Sequence, residues 1–132
     1  MYVTFNDVHL MLGIKQAERS NMPVNIIVPN TFKIGALTFK IVNNDRHLKI
    51  SESRASANIR EQIVRLPMSN VTQEHLTLLL FHEAVHVIQD TMGDEYDEKF
   101  ANIFSNFLVE FLTSLGIVFD FTNIKEEQAC TH

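Results

Sequence analysis

The back half of the chain carries the clearest pattern of apolar and polar positions. Apolar residues occupy nearly every side of the segment from Leu76 to Ile88, which predicts a helix enclosed by other elements. Thr72 is suited to cap its start, and Gly93 is suited to end it. The following segment, with Asp94 as its cap and Gly116 as its end, repeats apolar residues at three- and four-residue steps and predicts an amphipathic helix.

The apolar stripe of this second helix is expected to belong to the core. Any part of it that stays exposed could serve a contact with a partner or with a second copy in a homo-oligomer. After the helix, "IVFDF" could add a strand or pack on a helix, and residues 123–132 are expected to fray. The stripe comprises Phe100, Ile103, Phe104, Phe107, Leu108, Phe111, Leu112 and Leu115.

The front half has the alternation that is typical of strands. Val24–Val28 lies between two prolines and predicts a strand. Ala36–Asn43 and His47–Ser51 flank an Asn-Asn-Asp turn signal and predict a hairpin. Ile59–Pro67 predicts a weaker strand, and the earlier segment Phe5–Arg19 could form a short helix.

These segments predict one α+β domain over residues 1–132. Residues 20–67 are strand-rich, residues 72–116 are helical, and residues 117–132 form a tail. We expect a small, mostly antiparallel twisted sheet that packs against the two helices. Because the connection between the helices is short, they should run antiparallel to each other.

The composition argues against a nucleic-acid-binding protein, a membrane-spanning protein and a disulfide-stabilised protein. The formal net charge is -5, which argues against nucleic acid as the main partner, because phosphate binding requires a surplus of Lys and Arg. No apolar run approaches the roughly 18–20 residues of a membrane span, and no basic segment precedes the first apolar residues. Cys130 is the only cysteine, so an intramolecular disulfide is excluded. We therefore expect a protein of the reducing cytoplasm.

His82, Glu83 and His86 spell H-E-x-x-H within the first predicted helix. Residues four apart lie on one helical face, so both imidazoles can bind a single Zn²⁺ ion. Binding the ion would offset the cost of burying polar side chains. Glu83 would flank the metal and take a proton from the activated water. The plainer interpretation is a pair of histidines with ordinary hydrogen bonds.

A catalytic zinc takes three protein ligands, and the third should come from the second helix. With a rise of about 1.5 Å per residue, Glu98 lies where its side chain can reach the level of His86. Asp97 faces the apolar stripe better but has a shorter reach, and Glu95 falls on the polar side. The periodicity leaves these three candidates open. Asn102, one turn after Glu98, could support a histidine or Glu98 itself.

Other polar side chains give weaker indications. His75 could line the same groove as the motif. Arg54, Arg60 and Arg65 could line a substrate groove, although a solvated sheet face is the plainer interpretation. Tyr96 could donate a hydrogen bond to a tetrahedral intermediate.

The motif "FHEAVHVI" followed by "EKFANIFSNFL" resembles the ImmA/IrrE-like zinc metallopeptidases and the short members of this kind found in phage genomes. In these gluzincin-type proteins, a glutamate in an E-x-x-A-N-x-F-like context completes the metal site. The corresponding residues here are Glu98, Ala101, Asn102 and Phe104. The resemblance extends over residues 24–115. It implies a minimal zincin-like fold, one zinc ion and hydrolysis of peptide bonds.

The sequence therefore predicts a zinc-dependent endopeptidase that acts on a peptide or protein substrate. One alternative is a non-catalytic, metal-stabilised module that binds another protein, and another is a phage accessory protein with a degenerate site. The presence of Glu83 favours catalysis, because a structural site does not need this carboxylate. A structural zinc would also require a fourth protein ligand, and no cysteine is placed to provide it.

Overall fold

The computed structural model describes residues 22–128, in which six strands and three helices follow one another. The predicted helix Phe5–Arg19 and Cys130 lie outside these residues. None of the described helices combines the length and the apolar character needed to cross a bilayer. The elements are β1 (Val24–Ile27), β2 (Thr31–Ile34), β3 (Leu37–Asn43), α1 (Asp45–Ser51), β4 (Ser56–Asn58), β5 (Ile63–Leu66), α2 (Gln73–Thr91), α3 (Glu98–Ser114) and β6 (Ile117–Asp120).

A four-stranded sheet in the order β2-β3-β5-β4 forms one layer of the fold. The β2–β3 and β4–β5 pairs are antiparallel, and the central β3–β5 pair is parallel. β1 and β6 form a separate parallel pair, with Val24 opposite Ile117. The predicted α+β class, with a mostly antiparallel sheet packed against helices, is confirmed.

The core lies between the sheet and α2, which packs on β2, β4 and β5. Every residue of α2 from Leu76 to Val87 is buried or half-buried, so the predicted enclosure is confirmed over these residues, whereas it is wrong at Ile88, which is exposed. Fully burying a large apolar side chain contributes about 1.5–3 kcal/mol, and this cluster is therefore the main source of stability among the described residues. Its buried members are Val28, Phe39, Ile41, Val64, Leu66, Leu76, Leu79, Val87, Phe121 and Ile124.

The predicted strand at His47–Ser51 is wrong, because these residues belong to α1. Asn44 caps this helix: its side-chain oxygen accepts a hydrogen bond from the His47 N–H at 2.9 Å. The Asn-Asn-Asp sequence thus starts a helix instead of a hairpin turn. The antiparallel partner of β3 is β2, which the sequence analysis did not identify and which connects to β3 through a turn at Gly35.

The two long helices begin at aspartate or threonine caps. Thr72 caps α2 as predicted, since its Oγ1 accepts from the His75 N–H at 3.1 Å. Asp94 was the predicted cap of α3, and this prediction is wrong. The Asp94 N–H donates to the Gln89 carbonyl at 2.9 Å, so Asp94 still closes the end of α2. Asp97 caps α3, and its Oδ1 accepts from the Phe100 N–H at 3.0 Å.

The apolar stripe of α3 faces away from the described core. The residues of α3 that are fully buried are Ala101 and Ser105, on the side that packs against α2. Small side chains on this side let the two helices approach closely. The expectation that the stripe is core is therefore wrong at its exposed positions. These are Phe100, Ile103, Phe104, Phe107, Phe111 and Leu115.

The residues after β6 contact the rest of the fold up to Glu127, whose N–H donates to the Asn43 carbonyl at 2.9 Å. Of the two alternatives left open for "IVFDF", the strand is the one found, as β6. The expected fraying is wrong for the described part of the tail, because Ile124 is buried in the core and Glu127 forms an ion pair with Arg65. A buried anchor and an ion pair provide the contacts that a free tail would lack.

Candidate metal centre

His82, His86 and Glu98 come together at the contact between α2 and α3. The two histidines share one face of α2, and their Nε2 atoms are 3.1 Å apart. Glu98 Oε1 lies 2.5 Å from His82 Nε2, and Glu98 Oε2 lies 3.4 Å from His86 Nε2. One ligand atom from each residue lies within 4.8 Å of the other two. The group could therefore hold a metal ion.

The spacing of these donor atoms fits zinc. A tetrahedral zinc ion with bonds of 2.0–2.1 Å places its ligand atoms about 3.3 Å apart. The separation of 3.1 Å between Nε2 of His82 and Nε2 of His86 is close to this value. The shorter contact of Glu98 with His82 can widen, because the Glu98 side chain is half exposed. Two imidazoles and one carboxylate also form a donor set that zinc uses in catalytic sites.

Glu98 reaches the histidines because of the side of α3 on which it lies. It shares that side with Ala101 and Ser105, whose burial shows that this face contacts α2. The hydroxyl of Ser105 donates to the Ala101 carbonyl at 2.6 Å, so this buried polar group is satisfied within its own helix. The first turn of a helix also favours a carboxylate, because the N-terminal end carries a partial positive charge.

Tyr96 contacts two of the three candidate ligands. Its ring stacks on the ring of His86, with centroids 4.0 Å apart and planes 7° from parallel. Its hydroxyl donates to Glu98 Oε2 at 2.6 Å. This hydrogen bond, together with the neighbouring histidines, lowers the pKa of Glu98. Partial burial and the hydrogen bond to Glu98 raise the pKa of Tyr96 to about 12, so the phenol keeps the proton that it donates.

Gln89 holds the other side of the His86 ring. Its side-chain oxygen lies 3.1 Å from His86 Nδ1, and both side chains are buried. An Nδ1–H that donates to Gln89 leaves the lone pair of Nε2 free for a metal ion. Gln89 was not predicted from the sequence, although its position three residues after His86 puts it on the same face of α2. Asn102 lines the adjacent cleft, and its supporting role stays a prediction.

Glu83 is buried beside the candidate ligands and is 9% exposed. Burial raises the pKa of its carboxyl to about 7, and the negative charge of Glu98 acts in the same direction. His86 and a hydrogen bond from the backbone of Ala57, in β4, oppose the shift. A carboxyl with this pKa can accept and release a proton near neutral pH.

A cleft of about 740 Å³ opens along the candidate centre. Its walls come from β4 and the segment before it, from α2, and from the first turns of α3. Arg54 and His75 line this cleft, as the sequence analysis had suggested they could. Arg65 instead pairs with Glu127 away from the cleft, and Arg60 is exposed outside its lining.

The two alternative third ligands have other positions. The carboxylate of Asp97 caps α3 and accepts a hydrogen bond from the Phe100 N–H. Glu95 is exposed in the connection between the helices and is not part of the cleft lining. Of the three acids considered, Glu98 is the one grouped with His82 and His86.

No protein-family model, curated protein or solved structure matches the chain. The resemblance to ImmA/IrrE-like proteins therefore stays a prediction from the motif, and any function must be inferred from the chemistry of the residues around the cleft.

Proposed function

We propose that the chain is a zinc-dependent endopeptidase of the H-E-x-x-H type, related to the ImmA/IrrE-like metallopeptidases and acting in the cytoplasm. The observation that carries this proposal is the group of His82, His86 and Glu98, with Glu83 buried beside it, at the wall of an open cleft. These three residues would hold the ion. When bound, zinc would supply Lewis-acid chemistry that makes water nucleophilic near neutral pH and polarises a carbonyl group.

Glu83 would move the protons of the reaction. Its carboxylate would accept a proton from the attacking water and then give that proton to the amine that leaves. A pKa of about 7 is suited to both steps, because a group that titrates near the working pH is present in both states.

A peptide substrate would bind along β4. This strand is at the edge of the sheet order β2-β3-β5-β4, and its residues Ser56 and Ala57 line the cleft. An edge strand offers backbone N–H and C=O groups that can pair with an extended peptide. The scissile bond would then lie beside His82, His86 and Glu98, within reach of the Glu83 carboxylate. An open groove of this kind favours cleavage within a chain.

The proposal is tested by separating metal binding from hydrolysis. Glu83→Gln should retain zinc, because it keeps the size of the side chain and leaves His82, His86 and Glu98 intact. Cleavage should fall by about 10²–10⁴-fold, the usual contribution of general acid–base catalysis. Zinc content is measured by mass spectrometry. Hydrolysis is measured by incubating proteome-derived peptides with each protein and identifying the new peptide termini.

Two results of this experiment would contradict the proposal. One is loss of zinc from wild-type protein prepared in excess metal. The other is a set of new peptide termini that is identical for wild type and Glu83→Gln, since contaminating proteases would produce the same set with both proteins. Peptides cleaved by wild type alone would support hydrolysis at this centre and would also identify the preferred sequence.

One observation favours the alternative of a metal-stabilised module that binds another protein. Six residues of the apolar stripe of α3, between Phe100 and Leu115, are exposed, and apolar patches of this kind often mark protein contacts. A module of this type would bind zinc but would give the same peptide products before and after Glu83→Gln. A degenerate site in a phage accessory protein would fail to bind zinc at all.

A further inference from the structure

We infer that Tyr96 is a positioning residue of the metal centre, which fixes Glu98 through its hydroxyl and His86 through its ring. This inference rests on the proposed metal centre but is independent of whether the centre is catalytic. Tyr96 lies in the connection between α2 and α3 and joins a ligand from each helix.

The hydroxyl determines which oxygen of Glu98 is free. It donates to Oε2 at 2.6 Å, a short hydrogen bond of the strong, charge-assisted kind. Oε1, the oxygen nearest His82, is left for the ion. Because the Glu98 side chain is 51% exposed, packing alone does not fix its rotamer. Ordering a mobile glutamate on metal binding costs side-chain entropy, and the hydrogen bond from Tyr96 reduces this cost because it already restricts the Glu98 side chain.

The ring of Tyr96 fixes the plane of His86. The two rings are stacked within 7° of parallel, and Gln89 holds Nδ1 at the edge of the imidazole. These two contacts leave the imidazole little freedom to rotate away from His82. Tyr96 itself is 70% exposed, so it contributes little buried area to the fold. The contacts of its ring and hydroxyl with the candidate ligands therefore serve to orient these ligands and contribute little to the apolar core.

Two substitutions separate the two contacts. Tyr96→Phe removes the hydroxyl and keeps the ring, whereas Tyr96→Leu removes both. We expect Tyr96→Phe to weaken zinc binding about 10-fold and Tyr96→Leu to approach 100-fold, the range found for residues that orient metal ligands. Affinity is measured by competition with a chromophoric chelator. Phe100→Leu, at an exposed aromatic residue outside the centre, is the matched control and should bind zinc like wild type.

Nuclear magnetic resonance of the metal-free protein gives a readout that does not depend on zinc. The stacked phenol ring shields the ring protons of His86. Their resonances should stay close to the wild-type positions in Tyr96→Phe and should move downfield in Tyr96→Leu. Unchanged His86 resonances in Tyr96→Leu would show that the rings do not stack and would overturn this half of the inference.

A double-mutant cycle with Glu98 tests the other half. In a Glu98→Ala background the hydroxyl has lost its acceptor, so Tyr96→Phe should cause no further loss of zinc affinity. An equal loss in both backgrounds, or wild-type affinity of Tyr96→Phe, would overturn the role of the hydroxyl. If the wild-type protein binds no zinc, the metal centre itself is wrong and both proposals fail. If wild type binds zinc and these variants do likewise, the inference about Tyr96 fails alone.

Discussion

Asp97 and Glu98 are neighbours in the chain, yet their carboxylates serve different parts of the structure. Asp97 Oδ1 accepts a hydrogen bond from the Phe100 N–H within α3, whereas Glu98 Oε1 lies 2.5 Å from Nε2 of His82 on α2. Successive helical positions differ by about 100°, so one of two adjacent acids can face the partner helix and the other cannot. Here the acid that faces α2 is Glu98.

Because the two carboxylates have different partners, alanine substitutions at Glu98 and Asp97 should affect different properties. Glu98→Ala should weaken zinc binding by more than the roughly 10–100-fold that supporting residues contribute, with little change in the stability of the metal-free protein. Asp97→Ala should lower the free energy of unfolding by about 1 kcal/mol, the usual value of an N-cap, and should leave zinc affinity unchanged. Chelator competition and urea denaturation measure the two quantities.

Asp97→Asn is the control for the cap, because asparagine caps helices as well as aspartate does. It should retain both stability and zinc binding. If Asp97→Ala lost zinc while Glu98→Ala kept it, the third ligand would have to be reassigned to Asp97.

The sequence predicts the helix of the motif well, because its signals are local. Thr72 is a cap and the apolar run after it is enclosed, and both features depend on residues within the same helix. His82 and His86 follow from the same periodicity. The strand at Val24–Ile27 is likewise marked by its flanking prolines. Each of these predictions required no knowledge of distant residues.

The orientation of α3 could not be obtained in this way. Apolar periodicity shows that a helix has two faces, but it does not show which face meets the neighbouring helix. Large phenylalanines suggested the buried side, whereas close packing against α2 selected Ala101 and Ser105. Tyr96 and Gln89 were not assigned their contacts for a related reason. Their partners in the centre are fixed by the packing of α2, α3 and their connection.

The ion pair of Arg65 and Glu127 predicts how stability depends on pH. Arg65 Nε and Nη2 donate to the two carboxylate oxygens of Glu127 at 2.7 and 2.9 Å. These hydrogen bonds lower the pKa of Glu127 from 4.5 to about 2. Because the folded-state pKa lies below the unfolded one, the pair stabilises the fold above pH 4.5 and loses this contribution as the pH falls toward 2.

Glu127→Gln should therefore lower the free energy of unfolding by about 1.5–3 kcal/mol at pH 7, the range for hydrogen bonds to charged groups. The difference from wild type should shrink as the pH is lowered from 4.5 and should vanish below pH 2. Urea denaturation at a series of pH values measures this. Glu126→Gln, at the exposed neighbouring position, is the control, and parallel pH profiles of wild type and Glu127→Gln would contradict the assignment.

The position of the candidate centre predicts the effect of removing metal. The apolar core cluster contains neither the two histidines nor Glu98, so the fold should persist without zinc. Chelation should leave the far-UV circular dichroism unchanged. It should lower stability only by the binding contribution, about 2.7 kcal/mol if zinc was present at 100 times its dissociation constant.

Glu98→Ala is the control for chelation, because its melting temperature should respond to chelator much less than that of wild type. Unfolding of the wild-type protein by chelator would show that the metal is structural. That result would favour the metal-stabilised binding module over the peptidase.

Gly35 predicts a constraint between the turn after β2 and the last turn of α2. Gly35 has φ of +61°, and a Cβ added there would lie 3.0 Å from Cγ2 of Thr91. Gly93 has φ of +77°, with nothing within 4 Å of an added Cβ. Gly93→Ala should therefore cost about 1 kcal/mol of unfolding free energy from backbone strain alone. Gly35→Ala should cost more, because the contact with Thr91 is added to the same strain.

Thr91→Ser separates strain from contact. It removes Cγ2 and keeps a hydroxyl that can donate to the Val87 carbonyl, as Thr91 does at 2.8 Å. In this background, Gly35→Ala should become less costly, whereas the cost of Gly93→Ala should stay the same. Urea denaturation of the six proteins measures both differences. Gly35→Ala could instead lower the free energy of unfolding by the same amount with serine or threonine at position 91. In that case backbone strain accounts for the whole effect, and the contact between the turn and Thr91 contributes nothing.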